Sequence, residues 1–169
     1  QEAGRVERVE AAVSRQPSAV SRQPSAHSRQ PSAVSHQPCH LTAEVWRLED
    51  ARLAADAGAN EISLDLFLRH PTPPVTRVRA LIAELGARGV MVRLRTPTIV
   101  RPEERKVVDK WLALETPIVT GHLGLLAELS RTGREVVADY AVNCFNQHTA
   151  AELFRLGAKR IVMSVELTG

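Results

Sequence analysis

The sequence predicts an α/β fold in which about five parallel strands alternate with helices. Longer amphipathic segments alternate with short apolar runs between residues 42 and 169, and this pattern indicates parallel strands joined by right-handed crossovers. Glycine-containing turns such as Ala-Gly-Ala and Leu-Gly-Ala separate helices from the strands that follow them. Five such strands form either an open sheet or part of a closed barrel, and a complete eight-stranded barrel needs roughly 250 residues. Any barrel in this chain is therefore incomplete.

The sequence predicts that residues 1–41 form a segment separate from the folded domain, because their repeat contains few apolar side chains that a core could bury. Four units of the type SRQPSAV run from Ser14 to Leu41, and each unit contains one proline. Proline in a helix interior costs about 3 kcal/mol, so the seven-residue period does not indicate a coiled coil. Each unit has at most one large apolar residue, which is too little to offset the ordering entropy. We expect a disordered tail with polyproline-like stretches.

Residues 42–169 form the folded domain in this prediction. Short apolar runs predict strands, and longer runs with apolar residues at helical spacing predict helices. The predicted elements are, in chain order, helix 42–59, strand 61–67, helix 75–89, strand 90–96, helix 102–114, strand 117–121, helix 123–133, strand 135–140, helix 148–157 and strand 160–167.

Residues at the helix ends support these boundaries. Thr42 is the expected N-cap of the first helix and Gly58 its expected C-cap. The second helix is expected to end at Gly86 or Gly89, and the third to begin with Pro102 and acids in its first turn. The aromatic residues on apolar positions of these helices and turns are expected in the core: Trp46, Trp111, Phe145 and Phe154.

Composition narrows the classes of function. The chain has 169 residues and a formal net charge of +3, with 22 basic against 19 acidic residues. The folded domain is nearly neutral and has no basic stripe, which argues against a binder of the nucleic-acid backbone. Two cysteines provide no disulfide framework and suit the reducing cytoplasm. No apolar run approaches the length of a membrane span.

The most distinctive stretch is DYAVNCFNQHTAAELFRLGAKRIVMSVEL, residues 139–167. It resembles the peptidase U32 family, the collagenase-like proteases, in which a strand ending in Asp is followed by an Asn-x-Phe-Asn turn and a helix. A Leu-Gly-Ala turn then opens a strand that ends in Ser-Pro-Glu-Leu. This chain has Val165 where the family usually has proline. The resemblance covers about residues 42–169 and is most specific over 117–167.

This resemblance implies a TIM-like barrel and two alternative activities. The first is a peptidase, a hydrolase acting on collagen-like substrates. The second is an oxygen-independent hydroxylase that acts on RNA bases or a quinone precursor and carries a four-iron cluster on four cysteines. The cysteine-rich segment of the family lies downstream of the matched region, so we expect a fragment of the barrel that is inactive alone. We predict no cofactor and no metal ligand within this chain, whereas an iron–sulfur cluster is possible in a full-length protein.

Polar residues follow the predicted strands, where parallel α/β folds gather their chemistry. Glu166 and Asp139 are the candidate catalytic residues. Glu166 would act as a general acid or base or would bind a cationic group. Asp139 would orient a base or supply negative charge to a network of side chains that binds the ligand. The structural alternatives are an ion pair for Glu166 and backbone N–H contacts within its own loop for Asp139.

Five further residues are candidates for substrate binding. Asn143 and Asn146 can hydrogen-bond a substrate, although asparagines more often stabilise a turn or cap a helix. His122 precedes a helix whose first amides can bind an anion, while tight packing is the alternative reason for the glycines around it. Arg93 and Arg95 face the same side of one strand and suit an acidic ligand, unless they are solvated strand-end residues.

A function of another class is also open, namely a non-catalytic α/β module that binds a small molecule. The sequence lacks G-x-G-x-x-G and G-x-x-x-x-G-K-[ST], which excludes the two commonest nucleotide-binding motifs. The resemblance implies a peptide or an RNA base as substrate, the binding module implies a small molecule, and the sequence does not decide between them or specify an oligomeric state.

Overall fold

The computed structural model describes residues 39–69, 71–164 and 166. The tail predicted over 1–41 lies outside these residues except for its last three. In the described part, six strands form one sheet in the order of the chain, and every neighbouring pair is parallel. The predicted incomplete TIM-like α/β barrel is confirmed, with six strands in place of about five.

The strands and helices alternate along the described chain. The strands are β1 (Thr42–Val45), β2 (Glu61–Asp65), β3 (Met91–Arg95), β4 (Ile118–Thr120), β5 (Val136–Ala138) and β6 (Arg160–Ile161). The α-helices are α1 (Leu48–Asp56), α2 (Val75–Ala87), α3 (Arg105–Leu112), α4 (Leu123–Arg131) and α5 (Gln147–Arg155), and a short 3₁₀ turn, Tyr140–Val142, follows β5.

The sheet curls into a half-barrel, as contacts between distant strands show. Arg160 in β6 donates a hydrogen bond to Glu61 in β2, although three strands lie between them in the sheet order. In a flat sheet these two strands would be about 19 Å apart, at about 4.8 Å per neighbouring pair. An arginine side chain cannot bridge that distance. The curvature therefore turns one face of the sheet into a concave interior.

The two faces of the sheet carry different side chains because strand residues alternate. Ile62 and Leu64 point to the convex face, where they are fully buried beneath the helices with Leu81, Leu126 and Trp111. Glu61 and Ser63 alternate with them and point into the concave interior. The β1 to β3 part of the concave face thus carries charged and polar residues, in contrast to the branched apolar layers that usually fill such barrels.

The start of the domain differs from the prediction. Thr42–Val45 is a strand that pairs with β2, and the first helix begins only at Leu48. Thr42 is consequently not an N-cap, and its hydroxyl donates to Glu61 at 2.9 Å. The helix ends at Asp56, two residues before Gly58, whose φ of +103° makes it the left-handed residue of the following turn.

Other boundaries also differ. The third helix begins at Arg105, so Pro102 and its acids lie in the turn before the helix. The last strand ends at Ile161, and residues 162–164 are irregular rather than part of a strand to 167. Of the aromatic residues expected in the core, only Trp111 is buried, at 2% exposure. The others are at the surface: Trp46, Phe145 and Phe154.

Candidate functional site

An arginine–carboxylate cluster lies at the carboxyl ends of the strands, inside the half-barrel. Arg95, the last residue of β3, donates from Nε and Nη2 to Asp139 Oδ2 at 3.0 and 2.6 Å. Its Nη1 contacts Glu44 Oε1 of β1 at 2.5 Å. Asp65, at the end of β2, is 3.7 Å from Nη1. Curvature of the sheet therefore brings side chains from four strand ends to one guanidinium, and we call these residues the mouth cluster.

The guanidinium of Arg95 is held in a fixed orientation. The Tyr140 ring lies 5.2 Å from it in a cation–π arrangement. Asp139 is itself fixed, because its Oδ1 accepts a hydrogen bond from the Tyr140 amide at 2.8 Å. Burial by itself lowers the pKa of Arg95, but the hydrogen bonds to Asp139 and the charges of Asp139 and Glu44 outweigh burial and raise that pKa above its usual value. Arg95 is therefore a permanent cation.

A second charged layer lies deeper in the interior. Glu61 is 1% exposed and interacts with Arg93 Nε at 2.9 Å, with Arg160 and with the Thr42 hydroxyl. Arg93 also donates to Glu135 at 2.7 Å. Burial raises the pKa of Glu61, but the hydrogen bonds from Arg160, Arg93 and Thr42 prevail and lower this pKa from 4.5 to about 2. Glu61 is ionised at neutral pH and joins β1, β2, β3 and β6.

The concave face forms an open groove of about 530 Å³, a volume suited to a small molecule or a short peptide segment. Its two sides differ in chemistry. The β1 and β2 side presents polar groups, including Glu44 and Ser63, whereas the β4 to β6 side combines the apolar side chains of Val119, Val137 and Val162 with charged ones at its ends. The hydroxyl of Ser63 is buried and has no hydrogen-bond partner among the described residues. The groove therefore offers a ligand both polar and apolar contacts.

The structure brings only some of the predicted site residues together. Arg93, Arg95 and Asp139 all lie on the concave side, and the two arginines are 4% and 12% exposed at their side chains rather than solvated. The alternative of solvated strand-end arginines is thus wrong. Asp139 shows the contact of the structural alternative, since its Oδ1 accepts a hydrogen bond within its own loop, while its Oδ2 pairs with Arg95. A catalytic role for Asp139 stays a prediction.

Three other predicted residues have structural contacts that account for them. Asn146 is the N-cap of α5, with Oδ1 accepting from the Thr149 amide at 2.9 Å. His122 is the N-cap of α4, with Nδ1 accepting from the Leu125 amide at 3.1 Å. Asn143 adopts a left-handed conformation, φ 54° and ψ 54°, which ends the 3₁₀ turn. Each of these residues therefore stabilises the local turn or the helix end at which it lies.

Glu166 forms no ion pair with the mouth cluster in the described structure. It is exposed, follows the irregular segment after β6, and does not line the groove. Its amide donates to the Ser164 hydroxyl at 3.3 Å. A catalytic role for Glu166 stays a prediction.

Three further residues line the groove without being candidates from the sequence: Glu44, Tyr140 and Glu61. The sequence predicts a helix around Glu44 rather than a strand, and Glu61 stands at the beginning of a strand rather than at its end. Alternation offered one signal for Glu61: in the run EISLD, Glu61, Ser63 and Asp65 share a face.

Comparison with known proteins gives no relative: no protein-family model matches the chain, and no curated protein matches it. Within the described residues, no group of three or more His, Cys, Asp or Glu side chains is arranged to hold a metal ion. None of the helices in that part of the chain is long and apolar enough to cross a membrane.

Proposed function

We propose that this chain contributes the substrate-binding face of a barrel hydrolase of the U32 peptidase type, with the mouth cluster as its centre. The observation that carries the proposal is the Arg95–Asp139 pair, which holds a permanent cation at the carboxyl ends of the strands beside a half-exposed carboxylate, Glu44. Chemistry in parallel α/β barrels is located at this end. The resemblance of residues 117–167 to that family supplies the reaction class.

In this proposal residues of the mouth cluster have roles in peptide hydrolysis. The carboxylate of Glu44 accepts a proton from water as the water oxygen bonds to the peptide carbonyl carbon, and later returns that proton to the leaving nitrogen as the C–N bond breaks. Arg95 offers its N–H groups to the negative charge that develops on the carbonyl oxygen. Asp139 acts as a positioning residue, because its two contacts fix the guanidinium and the following turn. The apolar side of the groove accepts the side chains of the substrate.

Peptide binding to the groove tests this proposal. The readout is binding rather than turnover, since the resembled family has a cysteine-rich segment downstream of the matched region. We expect a fluorescently labelled Gly-Pro-rich peptide to bind saturably to the wild-type chain. Glu44→Gln should weaken this binding at least about tenfold, which is about 1.4 kcal/mol. Glu103→Gln, on the exposed turn before α3, is the matched control and should leave the affinity unchanged.

Two outcomes would overturn the proposal. Absence of saturable binding by the wild-type chain would remove the peptide as a ligand. Equal affinities of the Glu44→Gln and wild-type chains would show that the mouth cluster does not contact the peptide, and would favour a non-catalytic binding module instead.

A further inference from the structure

A second cavity lies at the carboxyl ends of β1 and β2, between the loops that follow these two strands. Its volume is about 430 Å³, and it shares no lining residue with the groove. Leu48 and Leu66 are buried residues in its wall, and three prolines form part of its rim. Because proline fixes φ near −65°, much of this rim is already ordered without a ligand. We call this cavity the loop pocket.

The loop pocket is positively charged. Its charged lining consists of three arginines and one glutamate: Arg47, Arg69, Arg77 and Glu49. Arg47 and Arg69 form no ion pair with another described residue. Arg77 contacts Glu49 at 3.5 Å, and both side chains are more than half exposed, at 62% and 56%. Such an exposed pair contributes little, so Arg77 remains able to turn toward an anion in the pocket.

A tryptophan ring forms one wall of the pocket. Trp46 is 41% exposed, an unusual state for the largest apolar side chain. The guanidinium carbon of Arg69 lies 5.7 Å from the centre of this ring. A flat aromatic ligand can stack on such a ring. Arg69 is at the same time near enough to contact a negative group attached to that ligand.

The helix geometry adds to the positive potential. Residues of the first turns of α1 and α2 line the pocket, including Leu48 and Arg77. Neither the Arg47 nor the Pro74 N-cap supplies a side-chain hydrogen bond to its helix in the described structure. First-turn amides of both helices are thus not occupied by a side-chain cap, and the positive ends of two helix dipoles lie beside the arginines.

We propose that the loop pocket binds a small phosphate ester that carries a flat aromatic ring, of the nucleoside monophosphate kind. The phosphate lies among Arg47, Arg69 and Arg77, and the ring stacks on Trp46. The pocket is distinct from the mouth cluster, so this proposal holds or fails independently of peptide binding there.

Tryptophan fluorescence measures this binding directly. The chain has two tryptophans, and Trp111 is only 2% exposed, so a surface ligand changes the emission of Trp46. We expect AMP to quench this emission saturably, and inorganic phosphate to compete at higher concentration. Adenosine should bind at least about tenfold more weakly than AMP, because it lacks the charge. Raising the salt concentration should weaken AMP binding, since the contacts are exposed to solvent.

Matched variants locate the site. Arg69→Gln and Arg77→Gln should each weaken AMP binding by about three- to tenfold, the effect of one or two solvent-exposed charge-assisted contacts. Arg79→Gln, also exposed on α2 but outside the pocket lining, should leave the affinity unchanged. In Trp46→Phe, whose binding is measured by calorimetry, the AMP affinity should fall while the inorganic phosphate affinity stays the same.

Three results would overturn the proposal. The first is the absence of any saturable change with AMP. The second is an AMP affinity of Arg69→Gln and Arg77→Gln equal to that of Arg79→Gln. Equal affinities for AMP and adenosine would likewise remove the anion site. Each of these outcomes leaves the peptide-binding result at the mouth cluster unaffected, so the two proposals fail separately.

Discussion

Replacing Glu61 by glutamine should remove the charge that holds the interior of the half-barrel together. In the folded chain the pKa of Glu61 is lowered to about 2 from 4.5. This difference corresponds to about 3 kcal/mol of stability at neutral pH. Removing one partner of a buried ion pair costs a similar amount, about 3–5 kcal/mol, because Arg93 stays buried with only Glu135 as its carboxylate partner. We therefore expect Glu61→Gln to lower the free energy of unfolding by about 3 kcal/mol at pH 7.

The stabilisation by Glu61 should depend on pH and decrease in acid. Because the pKa of Glu61 is lower in the folded chain, its contribution is complete above about pH 4.5 and is lost as the pH falls toward 2. Urea unfolding, followed by tryptophan emission, should show a gap between wild type and Glu61→Gln that narrows below pH 4.5. Glu103→Gln is the control and should leave the urea midpoint unchanged. A gap below about 1 kcal/mol at pH 7, or one that stays constant down to pH 2.5, would refute the assigned ion pairs.

Three further substitutions test local features, with thermal or urea unfolding as the measurement. His122→Ala should cost about 1 kcal/mol and His122→Asn much less, because asparagine retains a side-chain acceptor for the α4 cap; equal losses would contradict the cap. Asn143→Ala should cost about 1 kcal/mol while Asn143→Gly is nearly neutral, since φ is 54°; the reverse order would contradict the left-handed turn. Gly157→Ala should lower the free energy of unfolding by at least about 2 kcal/mol, because the new Cβ would lie 2.4 Å from Ser130 Cβ. Gly58→Ala has φ +103° but open space around the new Cβ, so it should lower the free energy of unfolding by only about 1 kcal/mol. Equal costs for the two glycines would show that the approach of Ser130 is unimportant.

The repeating α/β pattern was predictable because each helix and strand has a local signature. The first strand was not, because Thr42–Val45 continues the apolar spacing of the following helix. What makes it a strand is its pairing with β2, together with the Leu41 amide donating to Asn60 Oδ1 at 2.8 Å. These contacts join residues about 20 positions apart. A short edge strand of this kind is therefore decided by tertiary structure rather than by its own sequence.

The side chains of the interior show the same limit. Alternation correctly placed Arg93 and Arg95 on one face, but their partners lie more than 40 residues away in Glu135 and Asp139. These groups come together because β3 and β5 lie two strands apart in the sheet, which the local sequence does not reveal. Loop contacts were easier to anticipate, since Asn146 caps a helix that begins at the next residue. Roles that depend on neighbours in sequence were thus foreseeable, whereas ion pairs across the barrel were not.

The most direct test of the account is a double-mutant cycle on Arg95 and Asp139. The two side chains are 12% and 5% exposed and are joined by contacts of 3.0 and 2.6 Å. Unfolding free energies of the wild type, Arg95→Gln, Asp139→Asn and the double variant should give a coupling energy of about 1.5–3 kcal/mol. Losses that add to within about 0.5 kcal/mol would mean that Arg95 and Asp139 do not interact, and the mouth cluster would not exist.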